Sequence, residues 1–492
     1  MPATMMQFPL TVAAILRRAC ATFGSTEIAT PCARASYASL ARRARALAGH
    51  LLALGLQPGE RVATLLWNDM PHLEAYFGVP LAGGVVHPLN LRQHPSQWER
   101  ILRQAGDRFA IVSEDLLERW QQIPTGTRPM RIEAWPDDYD GLLPELAEDD
   151  GAAMGYTSGT TGESRGVIYS HRALALHALA TALPDALDLH ASDCVLPLVP
   201  MFHVNAWGLP YTAALIGCKQ VLAGSHFDAE HVLDLLAAEQ ATRSAGVGVI
   251  WQSVLDALDR HPGRWKLHPG LRVNLGGAPA PTALFEHFDR HGIAVNMGWG
   301  MTEMTPVGSM NPLLAGPART RQGRPLPFVE TRTDGSGELE VRGPWVAACY
   351  HAGVSPESWT ADGWFRTGDI VRFDEDGLME IVDRAKDLIR SGGEWISSVA
   401  LENALACHPD IREAAVIAVP HPKWQERPLA LLVMRPGAPS DPAAWRRHLG
   451  TSFPAWQCPD EFRVVASLPR TATGKIDKIC LRQEYARATI QP

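Results

Sequence analysis

Val62-Ala63-Thr64-Leu65-Leu66-Trp67 is a near-continuous apolar run of strand length, the pattern of a strand buried on both faces of a parallel sheet. The turn Pro58-Gly59 precedes it. Before that turn, Leu40, Ala44, Leu47, Leu51 and Leu54 fall on one helical face after Ser36, and Gly55 stands where a left-handed C-terminal cap belongs. Helix and strand thus alternate, and where the alternation recurs it makes βαβ crossovers. The alternation recurs through Ala110 to Val112, Val195 to Leu198, Ala245 to Trp251 and Leu271 to Leu275, each of which reads as a strand. Pro124 to Asp150, with four prolines and eight carboxylates, reads as a surface connection.

At 492 residues the chain is too long for one core, since single cores stop growing at roughly 250 to 300 residues. After the charged and glycine-rich stretch Asp376 to Gly393, short strands (Ala414 to Val419, Ala430 to Met434, Phe462 to Val465) alternate with helices. The expected fold class is therefore α/β: a large multi-sheet domain over residues 1–385 with βα crossovers, then a small α+β domain over 386–492. The composition, 46% hydrophobic with a net charge of -8, excludes disorder and gives no footprint for a nucleic-acid backbone. The eight cysteines show no zinc spacing and read as reduced core residues. Phe8 to Leu16 is followed, not preceded, by Arg17 and Arg18, the reverse of a secretory signal. No run reaches the roughly 20 apolar residues of a membrane helix, so a cytoplasmic protein with no integral membrane segment is expected.

Thr157-Ser158-Gly159-Thr160-Thr161-Gly162-Glu163-Ser164-Arg165-Gly166 lies between an apolar segment closing at Tyr156 and the short strand Val167-Ile168-Tyr169. Three glycines, five hydroxyls and an arginine before the closing glycine suit a backbone whose N–H groups converge on a phosphate. A polar hairpin turn is the other reading of such a cluster. A Walker A loop and a dinucleotide-binding glycine pattern are both absent. The Gly-x-Ser-x-Gly at 162–166 is not a hydrolase elbow, because a strand-type run follows Ser164 and helix initiation waits until Ser170.

Tyr156 to Val167 resembles the phosphate loop of the adenylate-forming superfamily: acyl-CoA synthetases, luciferases and the adenylation domains of peptide synthetases. Further segments match in the family's order: Met201-Phe202-His203-Val204-Asn205-Ala206-Trp207-Gly208, Gly276-Gly277-Ala278-Pro279, Gly298-Trp299-Gly300-Met301-Thr302-Glu303, Gly363 to Asp369, Asp383-Arg384-Ala385-Lys386-Asp387, and Pro469 to Asp477. The resemblance covers nearly the whole chain.

The resemblance implies a ligase that uses ATP, Mg²⁺ and coenzyme A to convert a carboxylic acid to acyl-AMP and then to a thioester. In that scheme Thr157, Ser158, Gly159, Thr160, Thr161, Gly162 and Arg165 hold the β- and γ-phosphates, Thr302 donates to the α-phosphate, and Glu303 reaches the Mg²⁺. Gly277, Ala278 and Pro279 line the adenine slot beside Trp299 and Gly300, and Asp369 accepts both ribose hydroxyls with Arg384 adding a cation. Lys475 bridges carboxylate and α-phosphate from the small domain. Lys386 is the hinge, and Gly392, Gly393 and Trp395 help form the pantetheine channel. His203 stands where amino-acid-activating relatives place a carboxylate, and with Val204, Trp207, Gly208, Val247 and Gly248 it lines the acyl pocket, which argues for an uncharged tail.

The His203 run looks most like bacterial medium- and long-chain fatty acyl-CoA ligases, in which the tryptophan can gate the acyl channel. Chain length does not follow. Two departures stand out: Arg165 replaces the family's usual lysine, and Gly248-Val249 replaces a common proline-threonine pair, which allows an unusual substrate. The same residues fit an acyl-AMP ligase that loads a carrier-protein phosphopantetheine, and Arg165 motivates a weakened, non-catalytic homologue. A homodimer, common among relatives, has no self-complementary surface in the sequence to support it.

Overall fold

The structure, a computed structural model, describes residues 4–131, 136–157, 164–471 and 475–485. Among them the strands form four sheets. In the six-stranded sheet, Arg61–Leu65 pairs in parallel with Val85–Pro88 on one side and Asp107–Val112 on the other, so its side chains from Val62 to Leu65 are buried. The helix before it, Tyr37–Ala53, starts with a capping box: Ser36 and Ser39 exchange side-chain-to-backbone hydrogen bonds, satisfying two end donors. Leu40, Ala44, Leu47 and Leu51 face the core, and Gly55 ends the run with φ of +83°.

This helix crosses Met70–Leu81 where Gly78 leaves room. A Cβ at Gly78 would sit 2.8 Å from the Ala44 carbonyl oxygen and 3.0 Å from a Leu47 methyl. Gly78→Val is accordingly expected to destabilise the large domain by about 1–3 kcal/mol, the usual cost of overpacking, read as an earlier denaturant midpoint with an unchanged slope.

The nine-stranded sheet runs from Arg324–Pro325 at one edge to Arg34–Ser36 at the other. Its centre (Ala294–Gly300, Arg272–Leu275, Arg243–Gly246, Cys194–Pro197, Lys219–Val221) is parallel. Glu330–Thr333, Glu338–Arg342, Phe365–Phe373 and Met379–Arg384 form an antiparallel four-stranded sheet. From Ile389 onward the chain builds a five-stranded sheet with its own apolar clusters. Ala414, Val416, Ala430 and Leu432 belong to one cluster with helix residues Leu401 and Trp445; Ala415, Ile417, Leu429 and Leu431 belong to another with Leu481. Both faces of this sheet are covered. No described helix is long and apolar enough to cross a membrane.

Four expectations need correction. The strand over Ala245 to Trp251 ends at Gly246, and Gly248–Arg260 is a helix that buries Trp251, Val254, Leu255 and Leu258 at helical spacing. A short apolar run fits either element, and the residues that decide between them lie beyond it. The connection from Pro124 to Asp150 contains an edge strand, Arg128–Arg131, paired with Asp107–Val112; its arginines keep the edge polar. The two long strands of the last sheet, Ile411–His421 and Gln425–Met434, extend beyond the apolar runs that announced them. Finally, Cys32, Cys349, Cys407 and Cys480 are exposed, so only part of the cysteine set belongs to the core, though all eight are free.

Candidate active site

A cavity of about 1570 Å³ opens where the parallel strands Arg243–Gly246, Arg272–Leu275 and Ala294–Gly300 end, the carboxyl edge at which α/β sheets bind ligands. The residues just past those ends line it: Val247 and Gly248, then Gly276 to Pro279, then Met301 to Glu303. Strands Phe365–Phe373 and Met379–Arg384 supply a second wall through Asp369 and Arg384, and Lys475 closes the space from the small sheet's side.

Asp369 and Arg384 face each other across a strand pair. Asp369 is almost fully buried, and its two oxygens are held separately: Oδ2 accepts from Trp299 Nε1 at 2.8 Å, and Oδ1 pairs with Arg384 Nε at 2.7 Å. The carboxylate is thus fixed in place at the cavity wall. Glu303 is buried too, and burial pushes its carboxyl above the usual range, opposed by the Tyr350 hydroxyl, which donates to Oε1 at 2.6 Å, and by the Arg384 and Arg165 cations. The Arg165 guanidinium stacks over the Tyr350 ring at 5.2 Å. Thr302 is positioned by its carbonyl, which accepts from Tyr169 Oη at 2.8 Å.

At the base of the loop, Thr157 N–H donates to the Arg165 carbonyl at 2.9 Å and Arg165 N–H donates to Thr157 Oγ1 at 3.0 Å. These bonds close the antiparallel pair Gly151–Tyr156 and Gly166–Ser170, so strand, not helix, follows Ser164. Ser158, Gly159, Thr160, Thr161 and Gly162 lie outside the described residues.

After His203 the backbone makes a left-handed turn: φ is 45° at Val204, 54° at Asn205, 50° at Ala206, 56° at Trp207 and 75° at Gly208. Each non-glycine residue there costs roughly 1–2 kcal/mol, strain that gathers at functional segments. The turn lays the Trp207 ring against Gly276, where a Cβ would come within 2.9 Å of it. Gly277 has φ of +85°, a conformation open to glycine. His203 and Lys475 keep part of their surface open to the cavity although protein surrounds them. Burial, helped by Lys475 and Arg92, pushes the His203 imidazole down to about 4, so it is neutral at physiological pH. Burial, with Arg384 nearby, pushes the Lys475 ammonium down to about 8, against the pull of Asp369 and Glu303. Lys475 is held at its backbone, whose carbonyl accepts from Thr471 N–H at 2.8 Å.

The cavity brings together Thr157, Arg165, His203, Val204, Trp207, Val247, Gly248, Gly277, Ala278, Pro279, Trp299, Gly300, Thr302, Glu303, Asp369, Arg384, Lys386 and Lys475. It leaves out Gly208, which packs on His177, and Gly392, Gly393 and Trp395. Gly392 instead packs on Trp424. Sequence reasoning missed Tyr350 and Tyr169: each acts across a long stretch of chain, and no local pattern marks either.

The family model described as AMP-binding enzyme matches residues 16–351, and that of the AMP-binding enzyme C-terminal domain matches residues 400–475. The chain is 41% identical to a long-chain-fatty-acid--CoA ligase of Thermus thermophilus, covering 98% of this chain and 97% of the relative. It is 38% identical to a 3-methylmercaptopropionyl-CoA ligase of Ruegeria pomeroyi, covering 98% of each. Among solved structures, ATP-bound MatB from Rhodopseudomonas palustris superposes with a TM-score of 0.88 at 26% identity, covering 98% of this chain and 100% of that one.

Proposed function

Because the chain belongs to the family of AMP-binding enzymes, we propose that it is an acid–thiol ligase for a carboxylic acid with an uncharged, apolar tail, such as a fatty acid. Its co-substrates are ATP, as the Mg²⁺ complex, and coenzyme A. One acid oxygen attacks the α-phosphorus and pyrophosphate leaves; the coenzyme A thiol then attacks the acyl carbon, loses its proton, and AMP leaves. The observation that carries this reading is the single cavity shared by Asp369, Glu303, His203 and Lys475.

The chemical obstacle is negative charge, so the protein's task is positioning and neutralisation. Lys475, still charged at neutral pH, sits between acid and α-phosphate. Arg165 faces the outer phosphates in place of the family's lysine; it keeps the charge on a planar fork. Asp369, with Trp299 and Arg384 fixing its oxygens, takes the ribose hydroxyls. A buried carboxylate whose Oε1 is already held is a fixed oxygen ligand of the kind Mg²⁺ takes, so Glu303 fits that ion. Bound there, Mg²⁺ neutralises phosphate oxygens. Neutral His203 and the apolar ring of Trp207 themselves offer no charge partner for an ammonium or second carboxylate.

The domain boundary is placed at 385/386 with Lys386 as pivot, between the last strand of the four-stranded sheet and the first of the five-stranded sheet. Across it, Asp383 Oδ2 accepts from Ser398 N at 2.5 Å and Ser398 Oγ at 2.8 Å. Turning the small domain to bring Gly392, Gly393 and Trp395 over acyl-AMP must break these bonds. The cytoplasm, with its ATP and coenzyme A, is the proposed place of action.

Incubation with ATP, Mg²⁺, coenzyme A and straight-chain acids of graded length, with AMP and thioester read by mass spectrometry, tests the function. Acid-dependent AMP with matching acyl-CoA is expected. AMP without thioester would point to a carrier-protein acceptor, and no acid-dependent AMP would end the proposal. Trp207→Ala, which removes the ring packed on Gly276, should move the preference by about tenfold toward longer or bulkier acids, since each methylene in an apolar pocket is worth roughly 1–3 kcal/mol.

A further inference from the structure

We propose that Asp259, His287 and His291 form a binding site for a first-row divalent transition metal such as Zn²⁺, separate from the residues that hold ATP. His287 lies on helix Thr282–Arg290 and His291 directly follows its end. Their spacing of four puts both rings on one face, 5.6 Å apart. Asp259, on the neighbouring helix Gly248–Arg260, points its carboxylate between them. Oδ2 meets His287 Nε2 at 2.9 Å and Oδ1 meets His291 Nε2 at 2.8 Å.

Among the described residues this is the one group of three histidine, cysteine, aspartate or glutamate side chains whose ligand atoms all lie within 4.8 Å of one another. Around a tetrahedral zinc, with bonds of about 2.0–2.1 Å, ligand atoms stand roughly 3.3 Å apart, so small side-chain rotations close the set. Two imidazoles and one carboxylate favour Zn²⁺, Co²⁺ or Ni²⁺ over Mg²⁺, which prefers oxygen donors. This sets the cluster apart from Glu303.

The surroundings are those of a three-ligand site with an open position. His287 is buried, and Gln252 Nε2 lies 3.3 Å from its Nδ1, which orients the ring. Asp259 is about half exposed, and Asp259 and His287 both line the large cavity, so an ion can enter from solvent. Stability alone is a weak reason for the arrangement, because ion pairs at this degree of exposure contribute little. The Arg290 guanidinium, 4.0 Å from Asp259 Oδ2, is the competing cation; its side chain is largely exposed and free to swing away.

The test uses the full chain, stripped of metal and held in excess Mg²⁺, titrated with Zn²⁺ by calorimetry and with Co²⁺ by visible absorption. One equivalent should bind, and Co²⁺ should show the intense bands of low coordination. His291→Ala and Asp259→Asn, both near the surface, should each weaken binding more than about 100-fold, beyond the range of lost outer-sphere partners, with circular dichroism and thermal midpoint unchanged. No stoichiometric binding by the wild-type chain, or equally tight binding by both variants, would overturn the proposal.

Discussion

Lys475→Ala is expected to reduce acid-dependent exchange of pyrophosphate into ATP by about 10²–10³-fold, the usual effect of deleting one transition-state charge contact. Thioester formation from added acyl-AMP should remain largely intact. The asymmetry is diagnostic. In the first half-reaction two anions are forced together, and Lys475 is a cation that the small domain brings to the cavity beside Asp369 and Glu303. In the second, a thiol attacks an uncharged acyl carbon and AMP is already a good leaving group. A general folding defect would depress both reactions alike.

The same lysine predicts a pH dependence. Its ammonium is pushed down to about 8, first by burial and next by Arg384. In the proposed mechanism the charged form is the active one, so kcat/KM for ATP in the exchange reaction, which reports the free enzyme, should be full below that value and fall as pH rises through it. Lys475→Arg, whatever its rate, should lose that alkaline limb, because guanidinium stays protonated. A limb that persists in the arginine variant would belong to another group.

Asp369→Asn should weaken both half-reactions through nucleotide binding. A carboxylate that accepts from two ribose hydroxyls makes two charge-assisted hydrogen bonds, each worth roughly 1.5–3 kcal/mol. Losing their charge should raise the dissociation constant for ATP, and for AMP, by about 100-fold or more. The substitution also leaves Arg384 without its partner. Arg384→Ala, at a more exposed side chain, should cost much less. Calorimetric titration of AMP into the three proteins separates these outcomes, and thermal unfolding checks that the buried asparagine is accommodated. Equal affinity of the Asp369→Asn and wild-type proteins for AMP would remove Asp369 from the ribose site.

The sequence exposes what is local and regular. The helix Tyr37–Ala53 carries its own cap, stripe and stop, and Arg61–Leu65 is apolar throughout because neighbours cover both faces. It hides what depends on distant context. Gly248-Val249-Ile250-Trp251 carries strand-like composition, and only Val254, Leu255 and Leu258 show that the register is helical. Nothing in Val204-Asn205-Ala206-Trp207 announces four consecutive residues with positive φ, since valine and tryptophan avoid that region; the turn exists because surrounding structure imposes it. At the site, the motif residues that line the cavity stand out in the sequence by type and order, and the charge roles proposed for them rest on those types. Tyr350, which links Arg165 to Glu303, was not, because a lone tyrosine beyond the motifs has no spacing to read. Gly392, Gly393 and Trp395 stand off the cavity in this arrangement, and the proposed turn at Lys386 is what would bring them in.

Isotope transfer tests the central claim most directly. When an accepted acid labelled with ¹⁸O in both carboxylate oxygens is turned over with ATP, Mg²⁺ and coenzyme A, attack of that carboxylate on the α-phosphorus requires one ¹⁸O in the AMP released and none in pyrophosphate. Unlabelled AMP, or label appearing in inorganic phosphate, would contradict the account.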